Sequence, residues 1–250
     1  MKVTIITVCY NSVAHIEDAI NSVLEQDYAD IEHIVIDGNS RDGTQRILEK
    51  YNDKLAHWTS EPDHGIYDAM NKGIKKATGD VIGILNSDDF YFDNQVISKV
   101  VKAFSDQSTE AVFGDLIFVD PIDLNRTVRT YSSKNWHPDK FARGYMPAHP
   151  TFFVKKEFYE KHGLFETDYE IAADYEMLIR LLYVYQLKYT YLPIKMVKMR
   201  KGGVSSNGIK SNIILNNEII RACRKHGIKT NALKIYPKYF RKVFELFNHK

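Results

Sequence analysis

Over the first hundred or so residues, short continuous apolar runs alternate with stretches whose apolar residues recur three and four apart. Lys2 to Cys9 reads KVTIITVC, a β-rich run that Asn11-Ser12 breaks. Ser12 is a good N-cap for a helix that puts Ile16, Ala19, Ile20, Val23 and Leu24 on one face. His33 to Ile36 predicts a second strand, ending in the turn-rich loop Asp37-Gly38-Asn39-Ser40-Arg41-Asp42-Gly43-Thr44. A helix through Ile47 and Leu48 follows, then a weak strand near residues 55–59 and the polar loop Ser60–Gly65. The next helix runs from about Ile66 to Ala77, with Gly79 as its C′ residue. Asp80 to Leu85 is a strand that stops at Asp88-Asp89. Strand then helix, four times over, predicts a parallel sheet with helices on both faces.

The second half is less regular. The pattern predicts a helix over Gln95–Phe104, a strand over Glu110–Val119, irregular chain over 120–148, a short strand at Thr151–Val154 and a helix over Lys156–His162. A strong helix over Asp174–Gln186, a strand over Tyr189–Met199, a loop at Gly202-Gly203 and a helix over Ser211–Lys225 follow. From Tyr236 to Asn248 a helical stripe of Tyr239, Phe240, Val243, Phe244 and Phe247 lies among Lys and Arg residues.

Asp37, Asp63 and the Asp88-Asp89 pair all fall at or near strand ends. In open α/β sheets ligands bind outside the carboxyl ends of the strands. Carboxylates there offer hard oxygens suited to Mg²⁺ or Mn²⁺, ions often shared with substrate phosphates. A single Asp in such a place is as readily a helix cap. Several on one edge of one sheet converge, which favours a site.

Composition narrows the classes. Of 250 residues, 44% are hydrophobic and 26% charged, enough for one sizeable core or one domain with an appendage. Cys9 and Cys223, far apart, give no disulfide framework or metal spacing, and a reducing compartment is the simplest expectation. A buried strand-end thiol such as Cys9 is no nucleophile candidate. No run approaches the ~20 apolar residues that span a bilayer, so the expectation is a cytoplasmic protein, soluble or peripheral. Charge is uneven: residues 221–250 hold nine Lys or Arg against one acid, a net +8, while the rest holds 25 against 31, a net −6. A basic tail on a mildly acidic body suits an anionic partner surface. P-loop and G-x-G-x-x-G motifs are absent from the sequence.

The chain resembles family 2 glycosyltransferases, the nucleotide-sugar-dependent group with the GT-A fold. The matching pieces come in the family's order: Cys9-Tyr10-Asn11 after the first strand, Val35 to Thr44, Asp63 to Gly73 with Asp68 and Asn71, Ser87-Asp88-Asp89 as the metal motif, His149-Pro150-Thr151-Phe152-Phe153, and Ala173-Asp174-Tyr175-Glu176 at the catalytic base. The resemblance covers about residues 3–205. It implies a single GT-A type α/β domain, a mostly parallel central sheet flanked by helices, with a nucleotide-sugar half at about 1–105 and an acceptor half at about 106–205. Residues 206–250 would form a helical, basic extension. Where the family usually has Glu-Asp at the base, this chain has Ala173-Asp174, which leaves the acceptor contact of the missing Glu in doubt.

The resemblance implies a metal-dependent, inverting transferase of hexosyl type. Its donor would be a nucleotide sugar, a UDP-sugar first, and its acceptor a glycan or lipid-linked hydroxyl of bacterial surface polysaccharide synthesis. Asp89 would ligate Mn²⁺ or Mg²⁺ and Asp88 would meet the ribose or the ion's outer shell. Asp37 would accept from the nucleotide base, Tyr10 would pack on it, and Asn11, Asp63 and His149 would line the nucleotide-sugar site. Lys72 is a weaker phosphate candidate. Asp174 would be the general base. Each has a plainer reading: Tyr10 as core, Asp63 and Asp174 as helix caps, His149 as structural. A nucleotidyltransferase would also use a nucleotide and Mg²⁺, but the first loop, Tyr10-Asn11-Ser12-Val13, lacks the glycines and cations it wants. A non-catalytic protein docked on nucleic acid by its tail is the third reading, and the main domain offers no nucleic-acid motif. An amphipathic basic helix at 236–250 can instead lie on an anionic membrane.

Overall fold

The computed structural model describes residues 1–201 and 208–237. The strands are β1 (Val3–Cys9), β2 (Ile31–Asp37), β3 (His57–Ser60), β4 (Val81–Ile84), β5 (Asp89–Tyr91), β6 (Ala111–Val119), β7 (Thr127–Tyr131), β8 (Phe153–Lys155) and β9 (Tyr189–Arg200). The α-helices are α1 (Ile16–Leu24), α2 (Thr44–Lys50), α3 (Ile66–Lys76), α4 (Val96–Ala103), α5 (Lys156–His162), α6 (Ala173–Ile179), α7 (Gly208–Lys225) and α8 (Ala232–Ile235).

All strands join one sheet in the order β3-β2-β1-β4-β8-β6-β9-β5, with β7 beside β6. The N-terminal four run parallel, as the strand–helix alternation predicts. β8 enters antiparallel between β4 and β6, and β9 lies parallel to β6. β1 is buried along its whole length. Its successive side chains point to opposite faces, so Ile6 and Val8 join one core with Ile34, Ile36, Ile82 and Phe113. Val3 and Ile5 join another with Val81, Ile97 and Val112. Full burial of each such aliphatic side chain contributes ~1.5–3 kcal/mol.

Several expectations change in detail. Ser12 does not cap α1: the N-cap is His15, without a side-chain cap bond, and Ser12 Oγ lies 2.8 Å from Ser87 Oγ, tying the first loop to the acid loop. Gly79 is not a left-handed helix stop. The cap of α3 is Ala77, in extended geometry. A side chain at 79 would come within 2.8 Å of Thr4 N and 2.9 Å of Lys2 O, so glycine serves close backbone approach there. The irregular segment contains β7 and a 3₁₀ helix, Pro138–Arg143. The helix expected over Asp174–Gln186 is α6 followed by a π-type turn, Arg180–Val184. Arg180 is anchored sideways there, donating to His162 O, Leu164 O and Glu176 Oε2. The aromatic stripe of 238–250 and the Gly202-Gly203 loop lie outside the described residues, and among the described residues no helix is long and apolar enough to cross a membrane.

Candidate active site

The parallel strands end level with one another: Cys9 pairs with Asp37, and Asp37 with Ser60. The loops beyond therefore open on one edge. Tyr10 is 66% exposed there, unlike the core tyrosine it could have been. Asn11 is left-handed at φ 49, its amide nitrogen donates to Ser40 Oγ at 2.7 Å, and its Oδ1 accepts from Arg41 N at 3.0 Å. It latches the first loop to the second.

Asp37 is turned toward the protein. It is fully buried and its carboxylate is occupied by Ser40 N at 3.0 Å, the Ser40 hydroxyl, Ser60 Oγ at 2.5 Å and the Cys9 thiol at 3.5 Å. It braces the loop from below. Burial, and next the Asp37 charge, push the Cys9 thiol far up, so it stays protonated and inert. The carboxylate that meets the surface at this place is Asp63. Its Oδ1 accepts from Gly65 N at 2.9 Å, and its Oδ2 fills the space a side chain at Gly38 would take, 2.4 Å from where that Cβ would stand. The Tyr10 ring borders the same space at 3.3 Å. Lys72 is drawn into this loop, donating to Pro62 O at 2.8 Å and pairing with Glu61 at 3.1 Å, so it secures Asp63's loop rather than standing free for a phosphate. Asn71 likewise holds the Phe165 backbone through both side-chain atoms.

The acid pair divides by burial. Asp88 is partly exposed, whereas Asp89 sits on β5 with no exposure. Three buried oxygens here, Asn86 Oδ1 and both carboxylate oxygens of Asp89, meet no donor in hydrogen-bonding geometry. Burial, then the Asp88 charge, push the Asp89 carboxyl well above the usual carboxylate range, with Arg200 pulling the other way. Arg200, at the end of β9, donates to the Asp88 carbonyl at 2.6 Å, pairs with Asp18 and covers the Phe90 ring at 4.9 Å. Undonated, desolvated, hard oxygens fit a small divalent cation. Among the described residues no three His, Cys, Asp or Glu side chains gather as a metal cage, so the fit is to an ion completed by diphosphate oxygens and water.

Two residues singled out separately in the sequence meet: His149 Nδ1 lies 3.1 Å from Asp174 Oδ2. His149 opens a 3₁₀ turn, His149–Thr151, that leads into β8, and Asp174 lies in the first turn of α6. Burial raises the proton affinity of Asp174, with His149 acting against it. Asp115 was not singled out. It interrupts the apolar run of β6 and is held by Tyr191 OH at 3.1 Å and Ser133 N at 2.8 Å. Ser133 Oγ in turn accepts from Ala148 N at 3.0 Å, one residue from His149. The only signal for Asp115 was a charge inside a strand.

A cavity of about 280 Å³ lies between the start of α3 and the loop before α6, lined by His64, Tyr67, Asp168 and Glu170 among others. Another of about 370 Å³ lies at the far end of α7, lined by Arg224, Lys229 and Lys234 among others. Neither contains the acid pair.

A family model described as Glycosyl transferase family 2 matches residues 4–163. A Mycobacterium tuberculosis protein described as an uncharacterized glycosyltransferase is 33% identical over 183 residues, 71% of this chain and 68% of that protein. A PGL/p-HBAD biosynthesis glycosyltransferase of Mycobacterium bovis is 24% identical over 82% of this chain and 79% of that protein. Among solved structures, S. aureus TarS 1-349 in complex with UDP-GlcNAc superposes with a TM-score of 0.71 at 19% identity, over 94% of this chain and 69% of that one. A mannosyltransferase from Pyrobaculum calidifontis in complex with GDP-Man and Mn²⁺ gives 0.67 at 22% identity, over 90% of this chain and 63% of that one. This chain spans 41% of a longer form of TarS. At these identities the structural likeness shows a shared fold, of GT-A type.

Proposed function

The chain belongs to glycosyl transferase family 2, and we propose that it moves a sugar from a nucleoside diphosphate sugar to an acceptor hydroxyl by a metal-assisted single displacement that inverts the anomeric centre. The observation that carries this reading is the Asp174–His149 pair at 3.1 Å, a carboxylate of raised proton affinity held by an imidazole. A base needs a proton affinity closer to neutrality than an ordinary Asp has, and burial supplies that. Asp174 takes the proton of the acceptor hydroxyl as it attacks, and His149 fixes the carboxylate's direction. Tyr10 and Asp63, which stands over Gly38, receive the nucleoside, and a UDP-sugar is the first donor to try.

The acid pair would hold Mn²⁺ or Mg²⁺, which would supply positive charge against the diphosphate leaving group. Burial leads us to exchange the roles expected from the sequence: the partly exposed Asp88 would hold the ion, and the buried Asp89 would support it from beneath. Residues 1–205 form the transferase unit on this reading, with 206–250 as its extension.

The acceptor we propose is a glycan or lipid-linked hydroxyl of surface polysaccharide synthesis, met at the inner face of the membrane. Arg224, Lys229 and Lys234 around one cavity continue the positive charge of the tail, and each basic residue near an anionic surface contributes ~1 kcal/mol. Vesicle co-sedimentation of the full chain and of a chain ending at Ile235, across a salt series, tests that part; equal behaviour of the two removes the tail from the account. The chemistry is tested by release of nucleoside diphosphate from UDP- and GDP-sugars with Mn²⁺ and with EDTA. Turnover that survives EDTA ends the metal assignment.

A further inference from the structure

The loop that delivers Asp174 is gripped from α7. The Glu218 carboxylate accepts from three consecutive backbone amides, Glu170 N at 2.6 Å, Ile171 N at 2.9 Å and Ala172 N at 2.9 Å. The three amides are those of Ala172, the N-cap of α6, and of the two residues before it. A carboxylate from another helix accepts from all three, with bonds that are charge-assisted and therefore short and directional.

The neighbouring residues of α7 hold the same loop further back. One turn on, Arg221 pairs with Asp168 and covers the Tyr169 ring at 4.3 Å, and Lys225 pairs with Glu166. On the opposite side Tyr67, from α3, donates its hydroxyl to the Ile171 carbonyl at 2.5 Å. Residues 170–172 are thus fixed at their amides by α7 and at a carbonyl by α3, and Asp174 follows two residues later. Arg221 and Lys225 act at the loop's distal part, on Asp168, its carbonyl, the Tyr169 ring and Glu166; of the three, Glu218 binds the amides that enter α6. Burial first, and in smaller measure the Glu218 charge, also raise the proton affinity of Asp174.

We propose that Glu218 is a positioning residue for the general base, setting where the Asp174 carboxylate stands against His149 by holding the amides of 170–172. This rests on the reading of Asp174 as base. It also gives α7, which lies beyond the residues matched by the family model, a part in the reaction.

The test uses the full chain carrying Glu218→Gln, which keeps one acceptor oxygen, and Glu218→Ala, with Asp174→Asn as reference and Arg221→Ala as control. Amide hydrogen exchange at 170–172 should quicken in both Glu218 variants and stay near wild type in Arg221→Ala. The His149 ring resonances should move toward their positions in Asp174→Asn. UDP release from UDP-GlcNAc in Mn²⁺, with water as acceptor, should fall about 10–100-fold in kcat, as for other residues that orient a catalytic group, at unchanged donor KM. In the Asp174→Asn background, removing Glu218 should cost less than about twofold more. Faster exchange with unmoved His149 resonances overturns the proposal and leaves Glu218 as a loop brace. A full additive loss in the double variant overturns it too, since Glu218 would then act elsewhere. Wild-type release by Asp174→Asn alone ends the base reading itself, an outcome separate from both.

Discussion

Glu32 and Asp89 are both buried carboxylates on the same sheet, at opposite edges of its parallel half. Glu32, near the start of β2, is surrounded: Lys2 Nζ donates at 2.8 Å, Thr4 Oγ1 at 2.6 Å, Thr78 N at 2.7 Å and Thr78 Oγ1 at 2.5 Å. Burial works against its charge, yet these donors win and lower its carboxyl to about 2. Asp89, past the end of β4, meets no donor in full hydrogen-bonding geometry, and burial outweighs Arg200 and the neighbouring Asn86 side chain and drives it the other way. The first carboxylate joins β1, β2 and the turn before β4. The second is left with a need that an ion near Asp88 would answer. One edge spends its polar groups on holding the strands together, and the other keeps them unsatisfied for chemistry.

That contrast predicts that site-edge changes alter rate and spare the fold, while changes at the other edge do the reverse. The largest effect should come from Asp174→Asn, lowering kcat on the order of 10²–10⁴-fold, the usual worth of a general base, at near-constant donor KM. Loss of donor binding instead would move Asp174 into the nucleotide site. Asp88→Asn should lower Mn²⁺-dependent turnover about 10²–10³-fold, the scale of losing one group that stabilises developing charge. Asp89→Asn should melt no lower than wild type, because the carboxylate oxygens make no full hydrogen bond that the amide would lose; a clear drop in Tm would mean that Asp89 is satisfied in solution.

Glu32→Gln should cost about 1–3 kcal/mol of stability, since donors on three residues lose a charged acceptor, with kcat unchanged in the folded fraction. Its acid response carries a sign. A carboxyl lowered from 4.5 to about 2 on folding stabilises above pH 4.5, and that contribution disappears as pH falls toward 2. His33, buried and lowered to about 3, adds a loss of stability from its ordinary 6.5 downward. Urea melts from pH 7 to 3 should therefore fall in two stages, and Glu32→Gln should remove only the more acidic one. The smallest change is Gly38→Ala, whose methyl must displace the Asp63 carboxylate; donor KM should rise about tenfold, the scale of one hydrogen bond to a charged group. An unchanged KM would take Asp63 out of the nucleoside site.

The parallel half was legible because β1, β2, β4 and α3 are long enough for their periodicity to show. β5, with three residues, is too short to carry a pattern, and it is where Asp89 lies; β8, also of three residues, was legible as a short strand but placed one or two residues early. The sequence placed acids at strand ends correctly but gave no means of telling a satisfied one from an exposed one. Asp37 is closed off by Ser40 and Ser60, while Asp63 stands over the glycine at 38. Ser12 was misread because its partner, Ser87, is 75 residues away. Glu218 was invisible for the same reason, its three amides lying 46 to 48 residues before it.

Arg200 has a bearing on the order in which the molecule is made. Its bond to the Asp88 carbonyl spans 112 residues, and its pairing with Asp18 spans 182. Contacts of such separation form late, after the long intervening chain has been closed into a loop. During synthesis the parallel half leaves the ribosome first, carrying every acid of the donor edge but not the arginine that ties the acid loop to α1. A chain arrested before β9 is expected to fold its first four strands yet bind a nucleotide-sugar donor poorly, gaining affinity only when translation passes residue 200. Donor affinity equal to the full chain's in a ribosome-bound form arrested with residues 1–190 exposed would show that the acid loop sets without it. Otherwise the nascent protein stays idle toward a reactive sugar donor until its acceptor half exists to use it.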